Sequence, residues 1–149
     1  MITTLENACC DLQVLIQFIT ANEHLLPDPI SLHTEISAYS KKMLLLGKVF
    51  LYVEDETVLG VCMGYMNDES SHVGHIQLLL VQGNSQNRGI GRQLVLRFLQ
   101  EAKSIGMVEV ELVCDSVNRK AMSFYSSIGF RKADRPHPNP NKNFLTISL

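Results

Sequence analysis

Apolar residues at Leu5, Ala8, Leu12, Leu15, Ile16 and Ile19 recur at helical spacing, and Thr3-x-x-Glu6 ahead of them has the form of a capping box. A polar, proline-marked connection over residues 22–29 follows. Leu32, Ile36, Tyr39, Met43 and Leu46 then trace a second amphipathic helix that ends before Gly47. Beyond that glycine the period changes. Residues 49–53 and 58–66 flank the polar turn Glu54-Asp55-Glu56-Thr57, which predicts an antiparallel hairpin. A third strand over residues 73–81 is a nearly continuous apolar run, as expected of a strand covered on both faces. The next helix opens after Gly89, turns Ile90, Leu94, Val95, Phe98, Leu99 and Ala102 to the core, and closes at Gly106. Residues 108–114 form a strand, and 118–127 a helix stopped by Gly129. Residues 130–133 and 144–148 read as a closing hairpin around a turn holding Pro136, Pro138 and Pro140.

Composition narrows the class. At 149 residues and 46% hydrophobic content, the chain is one domain over 1–149, burying roughly 68–70% of its unfolded surface. A formal charge of −2 and a pI near 6.2 give no basic footprint for nucleic acid, and no Lys/Arg cluster marks a membrane surface. The N-terminus lacks a basic export region. Its most apolar stretch, residues 12–19, is interrupted by Gln13 and Gln17, so a cytoplasmic protein is expected. Cys9, Cys10, Cys62 and Cys114 form no Cys-x-x-Cys pair, and no His stands at zinc-finger spacing. No metal is therefore expected, and the thiols read as reduced structural residues.

The candidate chemistry begins at Gln86-Asn87-Arg88-Gly89-Ile90-Gly91, between an apolar strand and a helix. The first turn of a helix leaves N–H groups without internal partners, and aligned peptide dipoles put partial positive charge at the same end. Glycines there let the main chain approach an anion closely. A dinucleotide fingerprint fits poorly, because its third glycine position is Leu94 and Gln82 to Arg88 separate strand from glycine. A nicotinamide-dependent oxidoreductase is accordingly a distant reading.

A second motif, Asn118-x-x-Ala121-x-x-Phe124-Tyr125-x-x-x-Gly129-Phe130, follows the glycine loop. Together with Gln86-x-x-Gly89-x-Gly91 it resembles the GNAT superfamily of acyl-CoA-dependent N-acyltransferases. The resemblance is specific from about Val73 to Phe130 and looser before. It implies an α/β fold with a mixed, mostly antiparallel sheet flanked by helices, in which two strands splay to bind acetyl-CoA. It further implies strand contacts from Leu79 and Val81, and a pyrophosphate loop of Asn87, Arg88, Gly89, Ile90, Gly91 and Arg92. Asn118 would reach the pantetheine arm or the backbone beside it, and Tyr125 would protonate the departing thiolate. A nucleophilic Cys114 in a ping-pong route is the minor alternative to direct attack.

The sequence departs from the family in two places. Only Met1 to Thr3 are available for the opening strand, so that strand is expected to be stunted or absent. The lost edge would be exposed or covered by a partner chain, as in a homodimer. The family often places a Glu in the strand before the loop or in the strand before Asn118. Gln77 and Val113 stand there instead, and neither accepts a proton. The candidate bases are His75, Asp115, Glu111 and His72. His75 comes first, since an imidazole suits a base at neutral pH and alternation puts it on the face of Gln77. A backbone N–H near Val81 would serve the oxyanion.

The missing carboxylate bears on the acceptor. A lysine-like ammonium lies about 3.4 pKa units above neutrality, so its deprotonation costs roughly 4.6 kcal/mol, whereas an α-amine costs only about 1–1.4 kcal/mol. A small-molecule or peptide amine of low pKa, including an amino sugar, is expected. Tyr39, His33, Asp68-Glu69 and the residues 136–143 with His137 and Lys142 are candidates to border it. The competing class is a non-catalytic acyl-CoA binding or sensing module.

Overall fold

The computed structural model describes residues 1–5 and 9–149. Seven strands form one sheet in the order β1-β2-β3-β4-β5-β7-β6. They are β1 (Ile2–Leu5), β2 (Lys48–Glu54), β3 (Thr57–Tyr65), β4 (Val73–Val81), β5 (Glu109–Asp115), β6 (Arg131–Lys132) and β7 (Lys142–Ser148). The helices are α1 (Cys9–Asn22), α2 (Ile36–Leu46), α3 (Ile90–Ser104) and α4 (Arg119–Ile128). Among the described residues β4–β5 is the parallel pair, and every other ladder is antiparallel.

Two cores sandwich the sheet. Leu15, Phe18 and Ile19 of α1 and Met43 and Leu44 of α2 pack on Val49, Leu51, Val61, Met63, Leu78 and Leu80. On the opposite face Ile90, Leu94, Val95, Phe98, Leu99 and Ala102 of α3 meet Phe50, Cys62, Ile76, Val110 and Leu112, with α4 packed beside them. The six α3 residues are those the helical spacing predicts. Fully burying an Ile, Leu, Val or Phe side chain contributes about 1.5–3 kcal/mol relative to exposure.

The first strand corrects the sequence reading. Residues 2–5 pair in register with 52–49 of β2, so the strand is present and Leu5 belongs to it rather than to a helix. Thr3 lies in that strand, while Glu6 of the capping box and Ala8 fall outside the described residues. The edge of the sheet is consequently β1, not β2. The second helix is also shorter than expected. It starts at Ile36, and Leu32 and Leu46 are 72% and 48% exposed. The turn joining β2 to β3 is left-handed at Asp55 (φ 49°) and Glu56 (φ 62°), the geometry of a tight right-twisted hairpin.

A β-bulge in β4 shapes everything downstream. Met63 pairs with Leu78 and Gly64 with Ile76, which leaves Gln77 as the extra residue. Alternation therefore reverses there. Ile76 joins the α3 core, Leu78 and Leu80 the α1/α2 core, and Leu79 and Val81 pack toward α3. Gly64 permits the close approach, since a Cβ built there would stand 1.9 Å from the carbonyl oxygen of His75.

Candidate active site

β4 and β5 pair only from Val73–Glu109 through His75–Glu111. Beyond that rung the strands diverge, and β5 continues its ladder with β7 to Asp115. The edge of β4 facing the gap therefore keeps its main-chain groups free of β5. The Gln82 N–H donates to Leu59 O at 2.9 Å, on the β3 side. By strand alternation the N–H groups of Val81 and Leu79 point the other way, into the gap. The Gln86 side chain reaches the Val81 carbonyl from that side at 3.1 Å.

Two cavities occupy the splay. The larger, about 690 Å³, is walled by Leu79, Val81, Asn87, Gly89, Ile90, Gly91, Arg92, Asn118 and Phe124, with Gln86, Lys120 and Ser127 at its rim. The smaller, about 360 Å³, is walled by Gln77, Leu78, Val113, Cys114 and Asp115 together with Pro27, Asp28, Ile30, Tyr39 and Lys142. They meet at Pro27, Leu79, Asn118, Ala121 and Tyr125.

The larger cavity ends at the N-terminus of α3. Gly89 is the left-handed N-cap of α3 at φ 80°, and the first helical hydrogen bond runs from Gln93 N–H to Gly89 O. The N–H groups of Ile90, Gly91 and Arg92 are thus the unsatisfied first-turn donors. Asn87 adopts φ 66°, which Asn tolerates better than most residues with a Cβ. Arg92 donates to Ser127 O at 3.4 Å, tying the first turn of α3 to α4. The Arg88 side chain instead contacts both Glu54 carboxylate oxygens, at 3.1 and 2.9 Å, and is absent from the cavity wall.

Asn118 caps α4. Its Oδ1 accepts from the Ala121 N–H at 3.1 Å, which fixes the side chain at the junction of the cavities. One turn later Tyr125 packs edge-on against Phe124 and Phe130, with ring centroids 5.0 and 5.6 Å away. Burial, then the nearby thiols of Cys62 and Cys114, push its phenol well above the ordinary value. It is therefore a protonated donor at neutral pH. Burial and then Asp115 likewise raise the Cys114 thiol, which disfavours the thiolate that a nucleophile needs.

Of the four base candidates, His75 and Glu111 stand together and Asp115 and His72 lie apart from them. His75 Nδ1 is 3.6 Å from Glu111 Oε1, and the second Glu111 oxygen accepts a hydrogen bond from Arg135. Glu111 is only 5% exposed. Neither His75 nor Glu111 lines either of these two cavities; Asp115 lines the smaller, and His72 lies just before β4. The bulge also interrupts the alternation expected to put His75 and Gln77 on one face. Of the other acceptor-side candidates, Tyr39 and Lys142 line the smaller cavity, whereas His33 pairs with Asp28 at 2.7 Å. Asp68 is engaged by Ser71 and Ser70, which hold its carboxyl well below the usual range. His137 packs on Phe144 with centroids 4.7 Å apart. The Glu111–Arg135 pair and the 26–30 segment carried no sequence signal, because both depend on contacts across long stretches of chain.

Among the described residues no group of His, Cys, Asp and Glu is placed to hold a metal, and no helix is long and apolar enough to cross a membrane. Comparison with known proteins supplies the family. The acetyltransferase (GNAT) family model matches residues 18–130. Human N-acetyltransferase 8B is 32% identical over 108 residues, covering 69% of this chain and 48% of that protein. The chain spans under half the length of the curated relatives it matches. The fold superposes on the ribosomal-protein-S18-alanine N-acetyltransferase of Escherichia coli with a TM-score of 0.77 at 15% identity, covering 100% and 94% of the two chains. It superposes on PaiA N-acetyltransferase of Thermoplasma acidophilum, solved with coenzyme A, at a TM-score of 0.75 and 16% identity, covering 100% and 99%. With its splayed strands, its glycine-capped loop and a family match over three quarters of its length, the chain belongs to the acetyltransferase (GNAT) family.

Proposed function

We propose that this protein is an N-acetyltransferase, moving acetyl from acetyl-CoA to an amine of a small molecule, such as an amino sugar or other metabolite, or of a peptide, by direct attack. One observation carries the reading: two cavities of different chemistry meet at Tyr125. The larger has unsatisfied helix donors at Ile90, Gly91 and Arg92 for a pyrophosphate and main-chain edge groups at Leu79 and Val81 for a pantetheine amide. The smaller opens on the acceptor side and mixes apolar and charged walls. These residues fit acetyl-CoA, with Asn87, Gly89 and Asn118 shaping its bed and Arg88 contributing main chain only.

The roles follow from position. The amine nitrogen bonds to the acyl carbon while the carbon–sulfur bond breaks, and the N–H groups of Leu79 and Val81 are the donors nearest the developing oxyanion. Tyr125, kept protonated by its burial, gives the proton to sulfur. His75 takes the proton from nitrogen through water, since it lies one rung below the cavity. Buried free thiols at Cys62 and Cys114 suit a cytoplasmic enzyme. A non-catalytic acyl-CoA binder is the second reading, favoured by Gln77 standing at the bulge where a carboxylate would be useful.

Free-thiol release from acetyl-CoA, measured against amines, amino sugars and peptides with thermal-shift binding alongside, decides between them. Turnover with one acceptor class supports the enzyme. Binding of CoA with no turnover across the panel supports the binder, and no binding of CoA overturns both.

A further inference from the structure

We infer that the acceptor carries an anionic group, a carboxylate or a phosphate, on the same molecule as its amine, and that Lys142 binds that group. The inference rests on the transferase reading and names the substrate class of its acceptor cavity.

Among the described residues, Lys142 is the one cation lining the smaller cavity. It opens β7 and stands directly across the ladder from Asp115. Opposite charges at such a cross-strand position ordinarily join. Here no ion pair forms between them, and the Lys142 ammonium has no side-chain partner among the described residues. Asp115 also lines the cavity and makes no ion pair among the described residues. The other charged wall residue, Asp28, is already engaged by His33 at 2.7 Å. Tyr39 adds a phenol held neutral, its pKa pushed up to about 12 by burial and then by Tyr65.

The uncommitted charges on the wall are therefore one of each sign, on neighbouring strands. An acceptor that presents an ammonium alone would satisfy Asp115 and bring a like charge toward Lys142. An acceptor with an ammonium and an anion satisfies both. Lysine, a compact point charge on a flexible stem, suits either a carboxylate or a phosphate. Lys142 also lies beyond residues 18–130, so the device belongs to a part of the chain outside the family match.

The test compares matched acceptors on wild type and Lys142→Gln in the presence of CoA, by calorimetric binding and by thiol release from acetyl-CoA. One arm uses a dipeptide and its C-terminal amide; the other uses glucosamine 6-phosphate and glucosamine. We expect the anionic member of one pair to bind about 10–100-fold tighter than its neutral partner, the range of one charge-assisted hydrogen bond, and Lys142→Gln to erase that ratio. Lys142→Arg restores most of it, and Lys142→Glu reverses it. The arm that responds identifies carboxylate or phosphate. Equal binding of charged and neutral partners, a preference that survives Lys142→Gln, or no binding of either anion overturns the inference. Lys142-dependent binding without thiol release from any acceptor would sink the transferase reading, and with it the acceptor, while keeping Lys142 as an anion-binding residue.

Discussion

His75 and Glu111 face each other across the last rung that β4 and β5 share, with Nδ1 and Oε1 3.6 Å apart. One step further the strands part and Gln77 bulges from β4. The contact thus closes the vertex of the splay, and Arg135 completes it from the loop between β6 and β7. Arg135 in turn lies over the Phe144 ring at 3.9 Å, so a buried carboxylate is held between an imidazole and a stacked guanidinium.

His75→Gln tests the proton path. With His75 receiving the proton through water, the substitution lowers kcat/KM at neutral pH by about 100-fold, at the low end of general-base effects. The deficit shrinks as pH rises, because a low-pKa amine sheds its proton unaided. A pH–rate profile of both proteins reads this directly. Parallel profiles, offset equally at every pH, would remove His75 as the base and turn attention to Asp115.

Arg135→Ala tests the support beneath it. Glu111 is 5% exposed, and removing its guanidinium partner leaves a desolvated carboxylate facing the imidazole alone. Breaking a fully buried pair costs about 3–5 kcal/mol, and Arg135 is half-exposed, so a loss of about 1–2 kcal/mol is expected. That corresponds to a fall in Tm of roughly 3–7 °C for a domain of this size. Glu111→Gln, which removes the charge along with its need for a partner, costs less. A larger loss for Glu111→Gln than for Arg135→Ala would contradict this account.

Tyr125→Phe separates catalysis from binding. Turnover falls about 10–100-fold while CoA affinity changes little if Tyr125 has the proposed role, in which its hydroxyl serves only the departing sulfur. The same residue contributes to alkaline behaviour. Its phenol is raised above the ordinary 10.0 by burial, and that of Tyr39 is pushed up to about 12. Above pH 10 the unfolded chain releases protons that the folded one keeps, so stability is fully present below pH 10 and declines as pH rises beyond it. Denaturant unfolding between pH 9 and about 12 should show a shallower decline for Tyr125→Phe than for wild type. An unchanged turnover number would take Tyr125 out of the mechanism.

The elements with one dominant period were legible in the sequence. Helix α3 shows its whole buried face as a 3.6-residue stripe, and β4 shows its coverage on both sides as a nearly continuous apolar run. The helix that starts at Asn118 was legible through its motif and its glycine stop, and the structure adds the Asn118 side-chain cap to it. What escaped depends on pairing at a distance. The four residues of β1 are too few for periodicity and are held by register with β2. The bulge at Gln77 is a property of two strands, and it reverses the alternation that had put His75 beside Gln77. Arg88 reads as a loop cation, yet its partner Glu54 lies 34 residues earlier, and the Glu111–Arg135 pair spans 24.

Gly91 and Gly89 separate cavity shape from backbone strain. A Cβ at Gly91 would lie 3.5 Å from Phe124 and 3.7 Å from both Leu79 and Val81, which are ordinary contacts, and it would project among residues lining the larger cavity. Gly91→Ala should therefore stabilise the fold by about 0.5–1 kcal/mol through helix propensity, while weakening CoA binding through lost space. Gly89 has open space around its added Cβ but sits at φ 80°. Gly89→Ala should cost about 1–2 kcal/mol, since a left-handed residue with a Cβ is disfavoured by that amount. Denaturant midpoints and CoA titration on the two variants check both signs. A destabilised Gly91→Ala with undiminished CoA binding would mean that Gly91 serves the packing of α3 and leaves the cavity to its neighbours.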